Sequence, residues 1–304
     1  MKIKSWIEAF RLRTLLLSFS LIIMGSTIAY SEGVFDIATF ALALLTTLFL
    51  QILSNIANDY GDAVSGADFA GRVGPARQVQ SGAISKEQMR RAIVVFAVLS
   101  LISGVTLLVQ CQRTLGWDGL LKMFLLGLAS IAAAICYTVG KKPYGYMGLG
   151  DLFVFVFFGL VGVEGSYVLY SGEMSWEVML PATSVGMLSM AVLNMNNMRD
   201  MQSDARSGKK TLIVRHGIEW GKKYQTTLVV GAFAIMAIYI AINNGTYRYA
   251  YLISLPLFAK HLATIWRNRD NTLLDGELKK VSIGTLLMVL GYVAGTYVEL
   301  HNII

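Results

Sequence analysis

Charge is scarce in this chain. Asp, Glu, Lys and Arg make up 15% of its 304 residues, against about 25% in an average soluble domain, while 55% are apolar. That shortage excludes an ordinary water-soluble globule. Cysteine is nearly absent: Cys111 and Cys136 are the only two, one near an expected helix end and one inside an expected span, so no disulfide framework is expected. His216, His261 and His301 are the only histidines, and they show no metal-ligand spacing.

What the chain does have is uninterrupted hydrocarbon. Apolar runs of roughly 17–25 residues, enough to cross a bilayer, recur at 15–31, 37–57, 92–110, 119–138, 149–171, 177–198, 224–243, 247–266 and 281–299. They leave no room for a soluble domain. The sequence therefore predicts one polytopic membrane domain over residues 1–304, an all-α bundle of nine transmembrane helices, because a helix satisfies its own backbone in lipid. Membrane lipid is its expected surrounding and nucleic acid is not an expected partner. The basic start MKIKSWIEAFRLRT resembles the charged region of a signal peptide. The long hydrophobic run behind it and the spans that follow make it a retained first helix instead.

The positive charges are segregated. With nine spans, only Arg113, Lys122 and Arg248 fall on one side, and the remaining 23 of the 26 Lys plus Arg fall on the other. The positive-inside rule then places the N-terminus in the cytoplasm and the C-terminus outside. In a bacterial cell that is the cytoplasmic (inner) membrane.

Two acidic clusters close helices on that same side. NIANDYGDAVSGAD, residues 55–68, ends the second span; NMNNMRDMQSDARSGKKTL, residues 194–212, ends the sixth. Asp59 and Asp62 are three apart, Asp200 and Asp204 four apart, and each pair shares a helical face. Asn residues precede each cluster, and the likeness of the two suggests an internal duplication. Carboxylates this close repel one another unless something neutralises them. A single Asp there would read as a solvated helix end. Two matched Asn/Asp clusters read as a site for a hard cation: Mg²⁺ is usually held by one or two carboxylates plus substrate phosphates, and two facing clusters would hold about two such ions around a diphosphate. Cations for a diphosphate lie on the same side, Arg72, Arg77, Lys141, Lys142, Arg199, Arg206, Lys209 and Lys210 among them, although each alone also serves as a topology signal or headgroup contact. A cation transporter is the rival class, but transporters place such residues near the midplane on broken helices.

These stretches resemble the UbiA superfamily of intramembrane prenyltransferases. The likeness runs through Asn58, Asp59, Asp62 and Asp68, through Asp200 and Asp204, through the nine-helix pattern, and through the segment from Tyr137 to Asp151. Asp68 follows Asp62 at a wider spacing than in many members, with Gly66 between. That spacing, RVGPARQVQSGAIS, WIEAFRLRTLLLSFS and NNMRDMQSDARSGKKTL are similar to the branch that prenylates 1,4-dihydroxy-2-naphthoate in menaquinone synthesis. Branches using 4-hydroxybenzoate, homogentisate or haem remain alternatives.

The resemblance implies a polytopic enzyme that transfers a polyprenyl group from a polyprenyl diphosphate to an aromatic carbon, with loss of CO₂ in the naphthoate branch. It implies Mg²⁺ held by Asp59, Asp62, Asp200 and Asp204, with Asn58, Asn197 and Asp68 assisting. Arg72, Arg77, Lys142 and Lys209 would contact the diphosphate. Tyr60, Tyr137 and Phe153 are candidates to face the allylic cation. Arg13 and Tyr137 are candidates for the aromatic substrate, and Arg13 reads equally as an interfacial anchor. Glu164 lies about 22 Å along the fifth span at ~1.5 Å per residue, far from the clusters, and reads as paired or wetted structure, not as a catalytic group.

Overall fold

A computed structural model describes residues 3–66 and 77–301, the side chains of Arg13, Thr272 and Leu273 excepted. Asp68, Arg72 and the Arg13 side chain therefore lie outside what is described. Among the described residues there is no strand. Among the described residues nine longer helices carry the fold: α1 Leu15–Ser31, α2 Ile37–Ser65, α3 Lys86–Gln110, α4 Gln112–Cys136, α5 Gly150–Ser171, α6 Met179–Arg206, α7 Ile218–Ile242, α8 Leu255–Arg267 and α9 Asp275–His301. A short helix, Ile3–Phe10, precedes α1.

Local chemistry sets several boundaries. Asp36 caps α2 by accepting from Thr39 N at 2.7 Å, and Gly66, at φ 73°, ends it with its N–H on Asp62 O; glycine enters that left-handed region without steric penalty. Ser85 and Gln88 form a capping box at the start of α3. Within α5, residues Phe155–Glu164 are π-helical. There α5 lies against α6 so closely that a Cβ on Gly159 would sit 2.8 Å from Gly186 Cα.

The distribution of polarity is that of a protein in lipid. Val94, Val98 and Ile102 of α3 and Leu121 and Leu125 of α4 face outward, while Gln51, Asn55, Asn194, Asn197 and Gln225 are buried. Such apolar exposure is unfavourable in water, by about 25 cal/mol per Å², and is not in hydrocarbon. The largest apolar cluster joins α1 and α5–α9 through Met24, Val163, Leu188, Met236, Phe258 and Met288. A second joins α2 and α3 through Leu53, Ile56, Ile84 and Met89.

The chain is a multi-pass membrane protein, with one departure from expectation. Among the described residues six helices, α2, α3, α4, α5, α7 and α9, are long and apolar enough to cross a membrane, and seven if Ile3–Phe10 and α1, bent by 50°, count as one span. Nine were expected. The expected span 177–198 lies in α6, which is packed among other helices and buries Asn194, Asn197, Arg199, Asp200 and Asp204; a helix screened from lipid can be polar. The expected span 247–266 divides into a 3₁₀ helix, Tyr247–Ser254, and the 13-residue α8. Gly291 and Gly295 let α9 approach that 3₁₀ helix; a Cβ on Gly295 would lie 2.2 Å from Tyr247 O.

Candidate active site

The C-terminal ends of α2 and α6 meet the turn between α4 and α5. Under them lies one cavity of about 450 Å³. Its polar end is lined by Asn58, Asp62, Arg77, Tyr146, Asn197, Asp200, Asp204 and Lys209, and its long arm by apolar side chains such as Leu21, Leu108, Phe124 and Leu169. Along α2 its lining runs from Ala43 to Asp62, about 28 Å at ~1.5 Å per residue.

Asp62 is the hub. Its Oδ2 accepts from Arg77 Nη2 at 2.7 Å. Its Oδ1 accepts from Tyr146 OH at 2.6 Å and from Lys209 Nζ at 3.0 Å. The Lys209 ammonium also lies 3.7 Å from Asp204 Oδ1. The two acidic clusters, far apart in sequence, thus share one cation. Asp200 is gripped by the fork of Arg199, Nε to Oδ1 and Nη2 to Oδ2, both at 2.8 Å, and Arg199 Nη1 reaches Asp275 of α9 at 2.5 Å. Charge-assisted bonds of this kind are stronger than neutral ones. Among the described residues no group of three or more His, Cys, Asp or Glu is placed to hold a metal ion as the side chains stand; Asp62 and Asp200 both face cations.

The turn between α4 and α5 is fixed to both clusters. Thr138 Oγ1 lies 3.0 Å from Ala57 O and 3.2 Å from Asn58 Oδ1. Lys210 N donates to Tyr146 O at 2.9 Å and Arg215 Nη2 to Met147 O at 2.8 Å. Aromatic rings follow at the cavity wall: Tyr137 meets Tyr144 edge-on at 5.3 Å, and Tyr144 stacks on Phe153 at 3.9 Å. Burial pushes the Tyr144 phenol well above its ordinary value, so it stays a neutral donor, to Ala133 O at 2.8 Å.

Of the residues expected from sequence, Asn58, Asp62, Arg77, Tyr137, Phe153, Asn197, Asp200, Asp204 and Lys209 line this one cavity. Lys142 does not: it is exposed, carried outward by the turn that begins at Gly140, φ 120°. Tyr60 packs instead against the α2–α3 apolar cluster. Asp59 is buried but turned from the cavity, with Oδ2 accepting from Gln78 N at 3.0 Å and Oδ1 from Val79 N at 3.4 Å. Glu164 does not line the cavity; its Oε1 accepts from Ser175 N at 2.7 Å, while its Oε2 is buried without a hydrogen-bond partner. Sequence reasoning missed Tyr146 and Tyr144, which carry no spacing signal, and Arg11, which lines the cavity from a left-handed backbone, φ 49°.

The family model described as the UbiA prenyltransferase family matches residues 18–280. The chain is 41% identical over 298 residues to the 1,4-dihydroxy-2-naphthoate octaprenyltransferase of Escherichia coli strain K12, covering 97% of this chain and 96% of that one. It is similar in fold to the apo structure of a UbiA homolog from Aeropyrum pernix K1, at a TM-score of 0.70 and 16% identity over 95% of this chain and 99% of that one. It is also similar to a UbiA homolog from Archaeoglobus fulgidus bound to GPP and Mg²⁺, at a TM-score of 0.66 and 14% identity over 96% and 99%.

Proposed function

The chain belongs to the UbiA prenyltransferase family, and on that premise we propose that it transfers a polyprenyl group from a polyprenyl diphosphate to 1,4-dihydroxy-2-naphthoate in menaquinone biosynthesis. The observation that carries the reading is a cavity whose carboxylates and cations gather at one end of a long apolar arm. That is the shape of a molecule with a diphosphate head and a hydrocarbon tail. The acceptor is supported by the Escherichia coli relative, a 1,4-dihydroxy-2-naphthoate octaprenyltransferase.

Mg²⁺ is the proposed cofactor. The donor set fits it: Asp62, Asp200 and Asp204, with Asn58 and Asn197, offer hard oxygens to one cavity end, and Lys209 Nζ already stands as a cation between Asp62 and Asp204. Bound there, Mg²⁺ would neutralise charge growing on the leaving diphosphate.

The chain's own groups do the rest. Arg77 and Lys209 contact the departing diphosphate, which leaves with the electron pair of the broken C–O bond. Tyr137, Tyr144 and Phe153 put aromatic rings at the cavity wall, beside the allylic cation, and the apolar arm keeps water from it. A ring carbon of the electron-rich naphthoate supplies the pair for the new C–C bond. The acceptor's carboxylate then leaves as CO₂, returning its bonding pair to the ring, so no strong base is required. Counted over nine spans, the 23-to-3 charge split supports a cytoplasmic-membrane location with the N-terminus and the site facing the cytoplasm.

The test is purified protein with Mg²⁺, one polyprenyl diphosphate and a panel of acceptors. Naphthoate should be prenylated, and 4-hydroxybenzoate and homogentisate should not. Prenylation of 4-hydroxybenzoate alone would move the chain to another branch of the family.

A further inference from the structure

Asp59 sits in the same acidic stretch as Asp62, yet the two carboxylates point to different places. Successive residues of an α-helix are ~100° apart, so positions four apart differ by only ~40°. Gln51, Asn55, Asn58 and Asp62 accordingly form one stripe along α2, and all four line the cavity. Asp59 lies ~100° round from Asn58 and does not line it. Its side chain is only 2% exposed, and it accepts backbone N–H groups from two consecutive residues, Gln78 and Val79. Adjacent amides converging on one anion are a recognised way of holding it; here the anion is the protein's own.

What those amides belong to matters. The residue before them is Arg77, whose Nη2 lies 2.7 Å from Asp62 at the polar end of the cavity. The segment continues as a tight turn, with Ile84 N on Gln78 O at 3.0 Å, and Val79 and Ile84 pack beside Ile56 and Met89. Gln78 Nε2 also donates to Glu8 at 3.0 Å. The segment is thus seated on α2 by apolar contact and fixed in register by the Asp59 carboxylate.

We infer that Asp59 is a positioning residue and not a metal ligand: by holding the Gln78–Val79 backbone it sets the Arg77 guanidinium at the diphosphate end of the cavity. This deepens the proposed function and rests on its assignment of Arg77 to the diphosphate.

Asp59→Asn keeps the size of the side chain but sets an N–H₂ where it can oppose an amide donor. In the full-length protein, hydrogen exchange at Gln78 and Val79 should quicken about tenfold or more when a charge-assisted bond is lost. The Kd for Mn²⁺ in the substrate-free protein should stay within about threefold of wild type, whereas Asp62→Asn should weaken it at least about tenfold. KM for the polyprenyl diphosphate should rise, and Asp59→Asn with Arg77→Ala should be no worse than Arg77→Ala alone, as for two residues acting through one contact. Should Asp59→Asn not fold, Gln78→Pro removes the shorter amide contact and leaves the carboxylate; it too should raise KM and spare Mn²⁺. Unchanged exchange at 78–79 with Mn²⁺ binding weakened as in Asp62→Asn, or a double variant far below Arg77→Ala, would overturn the assignment. Failure of the proposed function looks different: Mn²⁺ binding indifferent to Asp62→Asn, or KM indifferent to Arg77→Ala, with exchange at 78–79 still quickened by Asp59→Asn.

Discussion

Lys209 and Asp62 are 147 positions apart in sequence and 3.0 Å apart in space, Nζ to Oδ1. The same ammonium is 3.7 Å from Asp204 and 4.7 Å from the centre of the Tyr146 ring. It occupies the ground that the proposed Mg²⁺ would share. Two unit charges 4 Å apart interact by about 4 kcal/mol at an effective dielectric of ~20, so ammonium and metal oppose each other there. Lys209→Gln should therefore tighten Mn²⁺ binding about tenfold in the substrate-free protein and lower turnover, because the diphosphate loses a contact. Electron paramagnetic resonance titration with Mn²⁺ reads the first effect. Weaker binding would show that Lys209 orders the carboxylates instead of competing for them.

Asp62 and Asp200 should be indispensable. Asn is the informative replacement, since removing either side chain outright would strand Arg77 or Arg199, and breaking a buried pair costs about 3–5 kcal/mol. Asp62→Asn and Asp200→Asn should each lower the rate by about a thousandfold while the protein stays folded. Excess chelator should abolish turnover of the wild type, and Mg²⁺ should restore it. Initial rates alongside thermal unfolding check both points, and near-normal rates in either variant would contradict the metal site.

Gly61 is a steric hinge between the clusters and the α4–α5 turn. A Cβ there would lie 2.5 Å from Thr138 Oγ1 and 2.6 Å from Thr138 O, and a backbone atom cannot step aside as a side chain can. Overpacking of this kind costs about 1–3 kcal/mol. Gly61→Ala should lower both unfolding temperature and rate, by displacing Asn58 from Thr138 and Asp62 from Tyr146. Gly276→Ala, where an added methyl meets nothing within 4 Å, is the control and should match wild type in both measurements.

How much of this was legible in the sequence depends on what each signal required. Carboxylates after a long apolar run are conspicuous, so Asp62, Asp200 and Asp204 could be found without coordinates. Asp59 carried the same signal, but a rotation of ~100° from Asn58 turns it to the Gln78–Val79 backbone, and what stands on that side of α2 is a tertiary fact. Tyr146 contacts Asp62 across 84 positions, and Arg199 links Asp200 to Asp275 across 76; no local pattern announces either. Composition alone does not confirm α6 as one of the nine expected spans, because apolarity reports contact with lipid and α6 is screened from lipid by its neighbours.

Topology offers an independent check. Ser81, Lys141 and Ala205 are exposed near the polar end of the bundle, and Glu173 follows the far end of α5. Single cysteines at the first three, in a background with Cys111 and Cys136 replaced, should react with a membrane-impermeant thiol reagent only from the cytoplasmic side. A cysteine at Glu173 should react only from outside. Labelling of Ser81→Cys and Ala205→Cys from opposite faces would separate the two acidic clusters and remove the site.

The most direct measurement of the central claim follows the acceptor's carboxylate. Purified protein, Mg²⁺, a polyprenyl diphosphate and 1,4-dihydroxy-2-naphthoate labelled in its carboxyl carbon should release one labelled CO₂ for each prenylated product, and Asp62→Asn should abolish both together. Prenylated product that keeps the label, or CO₂ released without prenylation, would contradict the reaction assigned to this cavity.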